Sequence, residues 1–360
     1  MTDSSSVLLR ELATAMDGTL VLPSDAEWGE ASRAWNLAFV QRPAAVATPA
    51  HVEDLQLVLA AARAAGLGVT VQPGGHGPHG GELQDCILIR PWAFNELSID
   101  TERGIARVGA GVQWGRVLDA LDGTEFVGLA GSNPTINVVG YTLGGGHSSL
   151  GRAVGIAPTA LLAAEMVTAD GSLVRVDEAE SDAELLWALK GGGGQFGVVT
   201  AMEFRLHPAP AGGLLYGGKP TFPAAVATPV LRAVVDVAAS APELVTISAV
   251  MLVLPDLPMV PEPLRGQQII TVDIVSMLPP ETTEALIEPI RSAGPVVDDT
   301  VDEFTIGALP EVFAEPVDPM PALEWSGLIG TLDHAVVAAL VEAWVAGAVA
   351  GLSLLQVRPL

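Results

Sequence analysis

The sequence predicts an α+β protein of two units, and three observations carry that prediction. Strand and helix patterns are mixed along the whole chain. Two glycine-rich segments run into strands rather than into helices. A Pro/Gly-rich piece at residues 207–213 separates two halves of different character. The 360 residues are long for one ordinary domain, so the boundary is set at 210/211, giving units 1–210 and 211–360. Apolar residues make up 49% and charged residues only 16%, which excludes a disordered chain. The net charge of −25 repels phosphate backbones, so no nucleic-acid partner is expected.

The elements follow in order. Residues 8–16 read as a short helix, and the run DGTLVLPSD as a strand between turns. Thr48 is the expected cap of a helix opened by Pro49, with Val52, Leu55, Leu59 and Ala62 on one face and Gly66 just past its end. Strands are expected at 69–71 and 86–89, with a glycine-rich loop at 73–81 between them. A strand at 106–112 and a helix at 114–121 come next, then a second glycine-rich stretch at 128–155. Residues 162–168 and 173–176 read as a hairpin about Ala169-Asp170-Gly171. Leu185, Leu186 and Leu189 mark a helix ending at Gly191. The alternation of Val198, Met202, Phe204 and Leu206 marks a strand.

Beyond the boundary, strands at 245–254 and 268–277 alternate with helices near 230–238 and 282–293. A helix at 335–349 precedes an apolar run at 352–357, and the mixture suggests an antiparallel sheet. The segment EVFAEPVDPMPALEW is expected as a loop over the surface or across a cleft. The seven tryptophans read mostly as core or helix-face residues, with Trp325 in a loop before a strand. Cys86, the only cysteine, reads as a small buried hydrophobe. The N-terminus lacks a secretory pattern and no run is long enough to span a membrane, so a cytoplasmic protein without a membrane partner is expected.

Two segments match G-x-G-x-x-G: Gly75 to Gly80 and Gly192 to Gly197. A dinucleotide fingerprint needs a strand before the motif and a helix after it. Both here lead into strands, and the Rossmann reading is rejected. Glycine also lets a backbone turn its N–H groups onto an anion without any helix dipole. The loop PGGHGPHG suits a pyrophosphate in that way, and its distinctive side chain is His76, which taken alone reads equally well as an exposed spacer. His76, His79 and His147 lack the carboxylates or thiolates that metal sites use, so no metal is expected.

Residues 43–208 resemble the FAD-binding domain of the vanillyl-alcohol oxidase superfamily, the PCMH type, in its berberine-bridge-enzyme-like and 6-hydroxy-D-nicotine-oxidase-like branch. The motifs VTVQPGGHGPHGG, GSNPTINVVGYTLGGGHSSLGRAVG and ELLWALKGGGGQFGVVTAMEFRL carry the likeness. The resemblance implies two α+β subdomains enclosing FAD, followed by an α+β substrate domain over the flavin ring. It assigns to the cofactor Pro73, Gly74, Gly75, His76, Gly77, Pro78 and His79 in the first motif. In the second it assigns Gly131, Ser132, Asn133, Ile136, Gly140, Tyr141, Gly144, Gly145 and His147, and in the third Gly197, Val198 and Val199. It further implies a bond from His76 to the flavin 8α-methyl, which raises the flavin's potential.

Departures from the family pattern sharpen the expectation. Asn133 stands where many relatives carry a second flavin-linking cysteine, so attachment through one bond is expected. Tyr141 replaces a histidine that hydrogen-bonds near flavin N1, and is the candidate catalytic residue; Tyr216 and His147 also exchange protons, but Tyr216 reads as a packing residue. The resemblance places Ile136 at the oxygen gate, where isoleucine tends to impede O2, so a dehydrogenase using another electron acceptor is expected ahead of an oxidase using O2. The family continues past the position of Leu360, so a short gene, a truncated product or completion of the site by another chain is expected, and a terminal strand would leave a sheet edge needing cover. The expected function is oxidation of a small organic substrate, an alcohol, amine or sugar, by hydride transfer to flavin N5. The alternative is a flavin-binding protein of little turnover or a partner-completed subunit. A homo-oligomer is left open, and a nicotinamide-dependent reductase would need a second nucleotide site that the sequence does not show.

Overall fold

The computed structural model describes residues 3–78, 81–178, 183–256, 260, 262 and 265–359. The first sheet holds β1 (Thr19–Val21), β2 (Ala45–Thr48), β3 (Gly68–Val71) and β4 (Cys86–Ile89), in the order β1-β2-β4-β3. Strands β2 and β3 run parallel to β4, and the helix Val52–Ala65 makes the crossover from β2 to β3. Its Leu55, Val58, Leu59 and Ala62 pack with Leu9 and Leu12 of the helix Asp3–Ala15 over Ile87 and Ile89.

This helix starts later than the sequence pattern suggests. Thr48 is not its cap, because Thr48 pairs with Thr19 in the sheet. His51, in extended backbone, takes the place, and its Nδ1 accepts from the Asp54 N–H at 3.3 Å. Gly66 closes the helix in the left-handed conformation (φ 68°), as expected. Asp54 is buried under the same turn. Burial works against its charge, but the N–H groups of Ala50, Asp17 and Gly18 hold its carboxyl below the usual range.

The second sheet is antiparallel: β5 (Leu97–Asp100), β6 (Ile105–Gly109), β7 (Leu161–Val167), β8 (Leu173–Asp177) and β9 (Val198–Arg205), ordered β5-β6-β9-β7-β8. The expected hairpin is β7–β8. Val198, Met202, Phe204 and Leu206 are all buried. The strand expected at 106–112 ends at Gly109, because Gly111 passes so close to the Pro91 and Trp92 carbonyls that a Cβ there would meet them at 2.8 Å. The outer face of this sheet carries Arg107, Glu165, Arg175 and Glu203, with N···O distances of 2.9 Å for Arg107–Glu165 and 3.0 Å for Arg175–Glu203.

The strands after residue 213 form a third, six-stranded sheet. Its strands are β10 (Leu214–Gly218), β11 (Thr221–Pro223), β12 (Val245–Val253), β13 (Gln268–Ser276), β14 (Asp302–Thr305) and β15 (Leu354–Val357). The order is β14-β10-β13-β12-β15, with β11 also on β13. Helices Ala227–Ser240, Pro280–Arg291 and His334–Val349 supply Val230, Ile287, Val337 and Trp344 to a core with Ile270, Val272 and Ile274 of β13. Side chains alternate along a strand. Thr271, Asp273 and Val275 therefore face the other way, and Val275 with Leu215 joins the core of the second sheet.

Two expectations about single residues are corrected, those for Trp325 and Cys86. Trp325 precedes a helix rather than a strand and is 93% exposed, so it lines no cleft. The tryptophans are mostly core or helix-face residues, as expected: Trp28, Trp114, Trp187 and Trp344 lie on helices, and Trp114 and Trp344 are fully buried. Cys86 is half-buried at the edge of β4, and burial beside Asp85 pushes its thiol up. Among the described residues no helix is long and apolar enough to cross a membrane, and no group of three His, Cys, Asp or Glu could hold a metal.

Candidate functional site

Between the first and second sheets runs a cleft of about 800 Å³. Its walls include Pro73 from the first glycine loop, Gly140 and Gly144 from the second, and Gly197, Val198 and Val199 from the third. Three motifs far apart in the chain thus meet on one cavity. The cleft suits a long, flat ligand because its walls lack side chains where it needs width. At Gly194 a Cβ would meet nothing within 4 Å, while Gly197 (φ 158°) is forced, since a Cβ there would lie 2.5 Å from Met166 and 2.6 Å from the Val167 carbonyl.

The loop that carries His76 is pinned from outside. The carbonyl of Gly74 accepts from Trp35 N–H (2.9 Å) and that of Gly75 from Asn36 N–H (3.0 Å). Trp92 Nε1 donates to the Pro73 carbonyl (2.7 Å), and the buried Arg90 guanidinium donates to the Gln72 carbonyl (2.7 Å). The carbonyls are spoken for. Among the described residues none accepts from the N–H groups of Gly74, Gly75, His76 or Gly77. Pro73, just before this run, lines the cleft, whereas Gly74, Gly75, His76 and Gly77 themselves do not; amides without a protein acceptor are the groups an anion nest uses. Gly75 (φ 86°) makes the turn possible; a Cβ would strike Gln72 Nε2 at 2.5 Å.

His76 is not an exposed spacer. Its ring is half-buried and stacks on Trp35, with centroids 4.2 Å apart and planes 14° apart. Burial brings its pKa down to about 4, so the imidazole is neutral at pH 7. Its Nε2 lies 3.2 Å from Thr135 Oγ1, which joins the first motif to the second. Asn133, two residues earlier, is buried and holds Thr135 through Oδ1 while its Nδ2 donates to the Pro316 carbonyl at 2.7 Å. The proline-rich segment does cross between the halves. Trp35 Nε1 donates to Val317 O (3.0 Å), Leu37 N–H to Met320 O (3.0 Å) and Asn36 Nδ2 to Ala322 O (2.8 Å).

Other expected site residues fall in different surroundings. Tyr141 does not line the cleft. Gly131 and Gly146 flank its ring, where added Cβ atoms would lie 3.1 and 2.9 Å away, and Trp114 meets it edge-on at 5.8 Å. Its hydroxyl is buried with no hydrogen-bond partner among the described residues, and burial pushes its pKa well above the usual value against the pull of Arg358. Ile136 packs against the second sheet's core. Gly145 and Ser132 are part of the second loop, and Gly77 and Pro78 of the first; none of the four lines the cleft. His147 is half-buried, and burial, then Arg358, lowers its pKa. Expected site residue His79 lies outside the described residues. Tyr216 turns into the helix layer and donates to Glu284.

The sequence pattern missed a polar group on the inner face of the third sheet. Asp273 is 5% exposed and stands 3.4 Å from Lys219 Nζ. Burial raises its pKa although Lys219 and Arg358 oppose the shift. The same Arg358 charge acts on Tyr141 and His147, which brings residues from both ends of the chain into one neighbourhood. Strand alternation in QIITVDIVS was the available signal: one carboxylate set among apolar residues on the face opposite Ile270 and Ile274.

Comparison with known proteins agrees with this geometry. The sequence model of an FAD binding domain family matches residues 43–177. The chain is 31% identical to (R)-6-hydroxynicotine oxidase of Paenarthrobacter nicotinovorans over 203 residues, which is 56% of this chain and 44% of that one. It is 33% identical to glucooligosaccharide oxidase of Sarocladium strictum over 187 residues, 51% of this chain and 37% of that one. The chain thus spans less than half the length of these curated relatives. The fold matches the BBE-like 1 protein of Physcomitrella patens with a TM-score of 0.74 at 21% identity, covering 93% of this chain and 74% of that one. Residues 43–177 thus match an FAD binding domain family, the chain is similar in sequence to FAD-linked oxidoreductases, and its fold is that of the BBE-like flavoproteins.

Proposed function

We propose that this protein is an FAD-dependent oxidoreductase that oxidises a small amine or sugar-like alcohol, with FAD attached by a single bond to His76. Residues 1–210 hold the cofactor in this reading, and residues 211–360 supply the substrate side. The observation that carries it is the free amide run of Gly74 to Gly77 beside a neutral, stacked imidazole at the edge of a glycine-lined cleft.

Bound FAD supplies a two-electron acceptor, taking a hydride from a substrate C–H at N5. The chain's own residues bind, orient and handle protons. The amides of the first loop hold the diphosphate, and the side-chain-free walls at Gly140, Gly144 and Gly194 leave width for the nucleotide. Asp273, with its raised pKa, accepts the proton that leaves the substrate O–H or N–H, and Lys219 beside it favours the ionised carboxylate that can take that proton. Tyr141 keeps its proton over the whole physiological range and donates a hydrogen bond to charge that develops beside it.

Acid precipitation of the purified protein tests the attachment: a yellow wild-type pellet and a colourless His76→Ala pellet are expected. A wild-type pellet without colour removes the covalent bond but leaves FAD binding standing. Anaerobic mixing with amines and oligosaccharides tests the reaction. Loss of the flavin's visible band is expected with at least one of them, and no bleaching by any member of the panel overturns the oxidoreductase reading. Ile136→Val is expected to speed reoxidation by air, measured by stopped flow.

A further inference from the structure

We propose that Thr135 is a positioning residue for flavin attachment: held by Asn133, it fixes the tautomer of His76 and so selects Nδ1 as the nitrogen that forms the bond. The proposal rests on the attachment to His76 proposed above and goes beyond it to the atom and the residue that chooses it.

The argument runs along a chain of hydrogen bonds whose direction is settled at its far end. Asn133 Nδ2 lies 2.7 Å from the Pro316 carbonyl, which only accepts, so this end of the amide is the donor. Asn133 Oδ1 lies 2.9 Å from the Thr135 backbone N–H, which only donates, so this end is the acceptor. Both ends agree, and the amide orientation needs no assumption. Oδ1 also faces Thr135 Oγ1 at 2.7 Å, and there the hydroxyl must give its one proton. What Oγ1 has left for His76 Nε2, at 3.2 Å, is a lone pair. Nε2 therefore carries the ring hydrogen, and Nδ1 is the bare nitrogen.

The surroundings keep Nδ1 usable. Trp35 stacking fixes the ring plane, and burial keeps the ring neutral. Gly74 stands on the Nδ1 side, where a Cβ would sit 3.5 Å from that nitrogen, so the approach stays open because position 74 has no side chain. In the attachment step the Nδ1–C8α bond forms as one C–H bond of the flavin methyl breaks. The hydrogen from the methyl and the proton from Nε2 pass with two electrons to the isoalloxazine, and molecular oxygen carries both hydrogens away as hydrogen peroxide. Thr135 receives the Nε2–H hydrogen bond throughout the approach and never touches the flavin in this scheme.

The test compares wild type, Thr135→Val and Thr135→Ser, each purified as full-length flavoprotein. Two quantities are read: the fraction of flavin that stays with the acid-precipitated protein, and the nitrogen of attachment, from NMR of the isolated flavinyl peptide. Attachment at Nδ1 in wild type is expected. Thr135→Val should lower the covalent fraction about fivefold, the factor of one ordinary buried hydrogen bond, or give a mixture of Nδ1 and Nε2 products. Thr135→Ser, which keeps the hydroxyl, should restore both readings, a rescue that a purely packing role would not produce. Wild-type attachment through Nε2 overturns the proposal, and so does a Thr135→Val protein fully linked at Nδ1. If Thr135→Val is insoluble, Thr135→Ala takes its place with the same readings. A colourless wild-type pellet overturns the attachment itself, and is told apart because it appears before any variant is made.

Discussion

In the loop around His76 the polar groups offered to a ligand are backbone amides, whereas on the inner face of the third sheet they are side chains. The two regions differ in what holds those groups in place. Among the described residues nothing accepts from the amides of Gly74 to Gly77, while the carbonyls of residues 72–75 are tied to Trp35, Asn36, Arg90 and Trp92. Asp273 on β13 is held by pairing with Ser248 of β12 and by Lys219 at 3.4 Å. A backbone site tolerates many flanking side chains but almost no added Cβ. A side-chain site on a sheet tolerates little change at one position and depends on register everywhere else.

Substitutions can break that contrast or sharpen it. The largest effect is expected for Gly197→Ala, which pushes a Cβ into the Val167 carbonyl in a backbone conformation alien to alanine. A loss of ~4 kcal/mol in urea unfolding is expected; a loss below a third of that would show the third motif to be malleable. Lys219→Met comes next, because it strands the Asp273 carboxylate without its cation, at a cost of about 3 kcal/mol at neutral pH. The sign follows from the pKa of Asp273, which is raised in the folded protein above its ordinary 3.8. A raised carboxyl binds its proton more tightly when folded, so stability is present at low pH and lost as pH rises through the folded value. The penalty of Lys219→Met should therefore shrink as pH falls toward 4, and a penalty flat from pH 8 to 4 would mean that Asp273 is not the stranded group.

Gly194→Val is the sharper probe of the cleft. Its φ is ordinary and its Cβ meets nothing, so the fold should hold within ~0.5 kcal/mol while the side chain takes up ligand space. FAD retention should fall about tenfold by equilibrium dialysis of a His76→Ala background. Smallest is Arg175→Met on the outer face of the second sheet, where the ion pairs are partly exposed. A change under ~1 kcal/mol is expected, vanishing in high salt.

Much of this molecule could be read from its residues, and the parts that could not share a cause. The helix Trp114–Leu121 and the strand Cys86–Ile89 lie where their periodicity puts them. The glycine motifs were legible because a backbone site needs glycine itself, and glycine shows in any sequence. The start of the helix Val52–Ala65 was misplaced because Thr48, a good cap in isolation, is taken by the sheet. Thr135 and Asn133 gave no signal of joining His76, since their partners lie 59 residues away and, for Pro316, 183 residues away. Asp273 could be picked out by strand alternation, but not the direction it faces. Which face of β13 looks toward the cofactor half follows from pairing with β10 and β12, and pairing is not written locally.

The bonds from Trp35, Asn36, Leu37 and Asn133 all land on residues 316–322. This polar row adds to the apolar core that Leu215, Val275, Ile306 and Leu309 already share with the second sheet. Cutting one bond of the row therefore leaves the halves joined by that core, so its loss is felt at the loop that Trp35 and Asn36 pin rather than in the docking of the halves.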